Sequence, residues 1–153
     1  MTEKLQATET SYGDIVHVLS RTLGAANHYL VHLMECEGLK NIVPSHGDIL
    51  VCLFSSDEMP MAEIAEAIGK DPSTVTALVR KLIAGGYVEK HPGSQDRRVN
   101  YVSLTEKGKA LKPSFERISA ELIESLLSGL DQEDLATTYQ TLLTMQANIE
   151  KHI

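Results

Sequence analysis

Apolar residues along this chain recur with two periods, and the switches between them mark out its elements. Ile15, Val18, Leu19, Thr22, Ala26, Tyr29, Leu30 and Leu33 fall near i, i+3, i+4, i+7 spacing, which predicts a long helix over roughly residues 14–36, stopped by Gly38. Pro44 and Ser45 open a second helix whose Ile49, Leu50, Cys52, Leu53 and Phe54 make it mostly buried, and the polar run Ser55-Ser56-Asp57-Glu58 reads as a loop. Met61, Ile64, Ala65 and Ile68 predict a short helix over residues 60–68 with Gly69 just past its end. Asp71 and Pro72 restart the chain as a helix, with a side-chain acceptor at the N-cap, a preset φ at the next position, and Val75, Leu78, Val79 and Leu82 as its buried stripe. A helix, a tight turn containing Gly, and a second helix make a helix-turn-helix.

Period two takes over after Gly85 and Gly86. Residues 87–90 and 99–104 are short β-type runs, and the segment between them, rich in Pro, Gly, Ser, Gln and Asp, predicts an open hairpin with a basic tip, a wing. Thr105 caps the next helix, with Leu111, Phe115, Ile118, Leu122 and Leu126 on one face and Pro113 placed to kink it. Gly129 ends that helix and Asp131 caps the last one, where Leu135, Tyr139, Leu142, Gln146, Ile149 and Ile153 follow a near-heptad spacing. The expected fold is mainly α with a small β-hairpin wing: a winged helix-turn-helix with N- and C-terminal dimerisation helices. It forms a single domain over residues 1–153, with dimerisation helices at 11–38 and 114–153 and the winged lobe at 44–112.

Length changes this picture little, since 153 residues suit one domain that closes a core without disulfides or metal. Cys36 and Cys52 lack paired spacing, no run approaches the roughly 20 apolar residues of a membrane span, and residues 1–10 lack a secretory pattern, so a cytoplasmic protein with no membrane contact is expected. Charge changes the picture more. The net charge of −7 argues against a protein that coats nucleic acid indiscriminately, yet residues 70–109 carry eight basic and four acidic side chains, a local +4 that leaves −11 on the rest.

That basic stretch holds the candidate chemistry. Away from its apolar stripe, the second helix of the helix-turn-helix presents Ser73, Thr74, Thr76 and Ala77, then Arg80 and Lys81. Short hydroxyl and methyl side chains permit close approach to a major groove, and the cations, with Lys70, reach guanine or phosphate. At the wing tip, Arg98 suits insertion into a minor groove, Asp96 suits holding it in a fixed fork, and Arg97 suits the backbone. For an isolated helix of this composition a solvated surface face is the simpler reading; the preceding helix and the following basic hairpin favour DNA.

Met61 to Ile68, Thr74-Val75-Thr76-Ala77-Leu78-Val79, Leu82, Gly86-Tyr87-Val88-Glu89, then Asp96-Arg97-Arg98, Val102-Ser103-Leu104-Thr105 and Gly108 together resemble the signature of the MarR family of bacterial winged-helix regulators. The resemblance implies an obligate homodimer with intertwined terminal helices. It also implies a palindromic double-stranded DNA operator, and repression relieved by a ligand, oxidant or metal. Helix 72–84 is then the recognition helix and Arg98 the wing arginine. The sequence has no Gly-rich phosphate loop, nucleophile elbow or clustered carboxylate pair, so neither enzymatic activity nor a cofactor is expected. The second helix departs from the family by opening Pro44-Ser45-His46-Gly47-Asp48, where Gln and an aromatic are commoner.

Dimerisation also follows from the residues, since Ile15, Leu19, Leu142, Leu143, Ile149 and Ile153 are too apolar for unpaired terminal helices. Among inducers, Cys36 lies between Glu35 and Glu37, which disfavour a thiolate, and Cys52 falls on an apolar face, so both read as inert. The resemblance further implies a small organic inducer, for which an aromatic or phenolic ligand in a pocket of Arg21, Tyr29, His46, Leu50 and Phe54 is expected. Two alternatives stay open: a zinc-responsive regulator of the same fold using His28, His32, Glu35 and Cys36, and a winged-helix module that binds protein instead of DNA.

Overall fold

Helix ends in this chain fall where side chains or turns can satisfy the backbone groups a helix leaves open. In the structure, a computed structural model that describes residues 12–93 and 98–153, a 3-10 turn over Tyr12–Asp14 leads into α1, Ile15–Cys36. Then follow α2 (Pro44–Phe54), β1 (Glu58–Pro60), α3 (Met61–Ala67), α4 (Pro72–Ala84), β2 (Val88–Pro92), β3 (Asn100–Leu104), α5 (Glu106–Lys109), α6 (Lys112–Leu127) and α7 (Gln132–Glu150). The chain divides into two compact units, Met1–Ser119 and Ala120–Ile153. No helix among the described residues is long and apolar enough to cross a membrane.

The core lies in the first unit. Ile49, Leu50 and Leu53 of α2, Ile64 and Ala65 of α3, Val75, Val79 and Leu82 of α4, and Val88, Val102 and Leu104 of the sheet are all buried. Burying each of the larger side chains contributes about 1.5–3 kcal/mol before conformational entropy is set against it. Helix α4 packs on α3, α2 and β2, so its apolar stripe is held on three sides and its opposite face is left to solvent.

The turn between α3 and α4 depends on Gly69, whose φ of +63° places it in the left-handed region that a side chain strains. There Gly69 N–H donates to Glu66 O and Lys70 N–H to Ala65 O, closing the end of α3. Two residues later Asp71 caps α4, its carboxylate accepting from Ser73 N–H and Thr74 N–H at 3.1 and 3.0 Å.

Three expectations are corrected. The run ending at Glu58 is not wholly loop: Glu58–Pro60 forms β1, the edge of an antiparallel sheet ordered β1-β3-β2, with Glu58 opposite Ser103 and Pro60 opposite Tyr101. Strand β2 runs on through His91 to Pro92, opposite Asn100, because an edge strand tolerates a proline whose missing N–H faces outward. The helix expected from Thr105 onward is two helices. Thr105 caps only α5, and Pro113 sits in the first turn of α6 without kinking it.

In the second unit, Asp131 accepts from Asp134 N–H at 2.8 Å and caps α7 as expected. No residue of α7 is buried.

Candidate nucleic-acid interface

The outer face of α4 is built from the cap forward. Asp71 Oδ1 accepts from the Ser73 hydroxyl as well as from two backbone N–H groups, and Asp71 Oδ2 accepts from Thr74 Oγ1 at 2.6 Å. The Ser73 and Thr74 side chains are the main reason that the Asp71 carboxyl is held far below the usual carboxylate range. Thr76 Oγ1 donates to Pro72 O at 2.8 Å. Ser73, Thr76, Ala77, Arg80 and Lys81 are exposed, while Thr74 and Lys70 are half-buried. The structure thus brings Lys70, Ser73, Thr74, Thr76, Ala77, Arg80 and Lys81 together at the turn and along one helix, away from the buried stripe.

A second set of bonds ties this helix to the wing, and the sequence reading missed it. Thr105 Oγ1 donates to Gly86 O at 2.6 Å and accepts from Gly108 N–H at 3.1 Å, while Thr105 N–H donates to Tyr87 O. Lys107 Nζ donates to Gly85 O at 2.7 Å and lies 4.4 Å from the centre of the Tyr87 ring. Gly108 lets α5 come this close, since a Cβ there would sit 2.1 Å from Tyr87 O. The Leu104-Thr105-x-x-Gly108 pattern therefore fastens the end of α4 to the base of the hairpin. Its signal was present in the sequence as spacing without a stated mechanism.

Of the wing residues, Arg98 is exposed beside the start of β3, and Asp96 and Arg97 lie outside the described residues. At the hairpin base His91 stacks on Tyr101 with ring centres 6.2 Å apart, and its Nε2 lies 3.3 Å from Glu58 of β1. Lys109 pairs with Glu106 at 2.9 Å.

The five predicted pocket residues are not brought to one place. Leu50 is wholly buried, and His46 is 5% exposed with its Nδ1 accepting Val43 N–H at the start of α2. Burial, then the nearby charge of Lys81, lowers the His46 pKa. Phe54 meets Phe115 edge-on at 5.5 Å and lines a cavity of about 400 Å³ with Leu53, Asp57, Leu104, Lys109 and Lys112. Arg21 lines a different depression with Val18, Thr22 and Ala25, and Tyr29 stacks on His32.

The zinc set fails to assemble as well. His32 Nε2 and Cys36 Sγ are 3.7 Å apart, but among the described residues no three His, Cys, Asp or Glu side chains are placed to hold a metal ion. Burial and the neighbouring Asp48 raise the Cys52 thiol, away from reactive thiolate character.

A helix-turn-helix whose second helix shows short polar side chains and two cations, fastened to an antiparallel wing, defines a winged-helix DNA-binding protein. Residues 42–99 match the MarR family model, described as "MarR family". The chain is 29% identical over 102 residues to the HTH-type transcriptional regulator YybA of Bacillus subtilis (strain 168), covering 67% of this chain and 68% of that one. A MarR transcriptional regulator from Methanosarcina mazei Go1 superposes with a TM-score of 0.76 at 27% identity, over 92% of this chain and 99% of its own. A single-residue mutant of MarR from E. coli, solved in complex with operator DNA, shares the fold with a TM-score of 0.77 at 18% identity, over 89% of this chain and 99% of its own. Residues 42–99 thus carry a MarR-family match, and the fold and the similar proteins are those of DNA-binding transcriptional regulators.

Proposed function

We propose that the chain works in the cytoplasm as a homodimeric, ligand-responsive repressor of a palindromic operator. On this reading residues 1–153 make one MarR-like fold that a second copy completes. The observation that carries it is the pairing of an exposed polar and cationic α4 face with a wing fastened to the same helix by Thr105 and Lys107. Ser73, Thr74, Thr76 and Ala77 face the bases of a major groove, with Arg80, Lys81 and Lys70 on guanine or phosphate. Arg98 enters the adjacent minor groove, oriented by Asp96, with Arg97 on the backbone.

Dimerisation is supported by the apolar side chains left open on α1 and α7. Val16, Val18, Leu19 and Leu23 on the first, and Tyr139, Leu142, Leu143 and Ile149 on the second, are exposed. A twofold mate covers such faces and sets two recognition helices about 10 base pairs apart. An inducer fits best beside Phe54, where Lys109 and Lys112 line the same cavity and suit an aromatic acid. Binding there would act by favouring a dimer whose recognition helices are mis-spaced.

Salt titration on DNA selected from a random pool tests the reading. Affinity is expected to fall steeply as salt rises, and Arg98→Ala to weaken binding by roughly 1–3 kcal/mol. A flat salt response would instead favour a winged-helix surface that binds protein.

A further inference from the structure

The hydroxyls at the start of α4 are already committed within the chain, and the direction of each bond is fixed by chemistry. A Ser or Thr hydroxyl has one proton to give and two lone pairs to offer. Ser73 and Thr74 bond to the Asp71 carboxylate and Thr76 bonds to the Pro72 carbonyl. Neither a carboxylate nor a carbonyl has a proton, so in all three bonds the hydroxyl is the donor. The Asp71 carboxyl remains ionised throughout the neutral range, because the bonds from Ser73 and Thr74 stabilise its charged form.

From this we propose that the first turns of α4 read the major groove through hydrogen-bond acceptors alone: Ser73, Thr74 and Thr76 offer lone pairs and no proton, and so select base pairs that present an amino group. In the major groove those groups are adenine N6 and cytosine N4, whereas guanine O6 and N7 and thymine O4 need a donor. The inference rests on the DNA-binding reading above and adds which bases that surface prefers. Turning the Ser73 or Thr74 hydroxyl toward guanine would break a bond to the charged Asp71 carboxylate, which corresponds to roughly ten- to a hundredfold in affinity, and turning that of Thr76 would break a bond to a neutral carbonyl at a smaller cost. Asp71 thereby becomes a specificity-determining residue that need not touch a base. Its negative charge also fills the N-terminus of α4, where a phosphate would otherwise be drawn, and leaves that end of the helix to the base edges. At Thr76 and Ala77 the methyl groups additionally suit the thymine methyl, so an A·T pair satisfies both contacts.

The test begins by selecting duplexes from a random pool with the full chain. Adenine or cytosine is expected under the first turns of α4. Each of those bases is then replaced singly by an analogue without its amino group, purine for adenine or 2-pyrimidinone for cytosine, and each replacement is expected to weaken binding roughly three- to tenfold. The selection is repeated with Asp71→Asn, which keeps an N-cap acceptor but brings an amide that can donate to the hydroxyls and free their protons. Its selected site is expected to shift toward guanine or thymine at the same positions. Analogues without effect, guanine already favoured by the unaltered chain, or an unchanged site for Asp71→Asn would each overturn the inference while leaving DNA binding intact. The analogue arm uses the unaltered protein and so does not depend on the variant's folding. Failure to enrich any sequence would overturn the operator reading and this inference together.

Discussion

Helices α4 and α7 carry similar apolar side chains at helical spacing, yet they are used in opposite ways. Val75, Val79 and Leu82 on α4 are at most 2% exposed, whereas Leu142, Leu143 and Ile149 on α7 are 40–67% exposed. The first set meets α2, α3 and the sheet within one chain. None of the second set is buried. The reading lobe therefore closes its own core, while the terminal helix keeps an apolar face for which a second copy is the proposed cover. Stability should reside in one region and assembly in the other.

Substitutions can break or sharpen that contrast. Double replacement Leu142→Asp and Ile149→Asp is expected to leave the winged lobe folded by circular dichroism but to yield monomers in sedimentation. Loss of two-headed attachment should lower operator affinity at least a hundredfold. A variant that stays dimeric would erase the distinction. Leu50→Ala, in the wholly buried part of α2, should cost about 2–5 kcal/mol in urea unfolding.

Lys107→Met is expected to weaken DNA binding several-fold while leaving the slope of log K against log salt unchanged, because its ammonium holds Gly85 O and Tyr87. Arg80→Ala, by contrast, should reduce that slope by about one. A slope change in the Lys107 variant would make it a phosphate contact instead.

The smallest effect concerns pH. His46 is buried with a lowered pKa, so the unfolded chain binds its proton first as pH falls. Its contribution to stability is complete above the ordinary histidine range, near 6.5, and declines as pH drops from there toward the lower folded value. His46→Gln should remove part of the loss in melting temperature between pH 7 and pH 5; an unchanged profile would show that His46 contributes nothing to it.

Most helices were legible because their periodicity and caps are local. Asp71-Pro72, Asp131 and Gly69 sit at helix boundaries close to those expected. Strand β1 was not legible, since three residues ending in proline become a strand only by pairing with β3, some forty positions away. The break between α5 and α6 was masked by periodicity. The apolar spacing of Leu111, Phe115 and Ile118 continues the helical pattern, but Pro113 has no N–H to give the Lys109 carbonyl and its ring crowds that group, so α5 ends at Lys109 and Pro113 falls in the first turn of α6. At the site, the exposed residues of α4 were readable as a face, but the bonds that commit their hydroxyls depend on which rotamers the Asp71 cap captures. The pocket was the least legible part. Its expected residues come from distant parts of the chain with no local periodicity to tie them together, and Arg21 and Phe54 line separate depressions.

The most direct test of the central claim is the stoichiometry and footprint of the full chain on DNA recovered by selection. Two chains per duplex are expected, protecting palindromic half-sites about 10 base pairs apart, with affinity falling as salt rises. One chain per duplex on a site without twofold symmetry, or binding indifferent to salt, would contradict it.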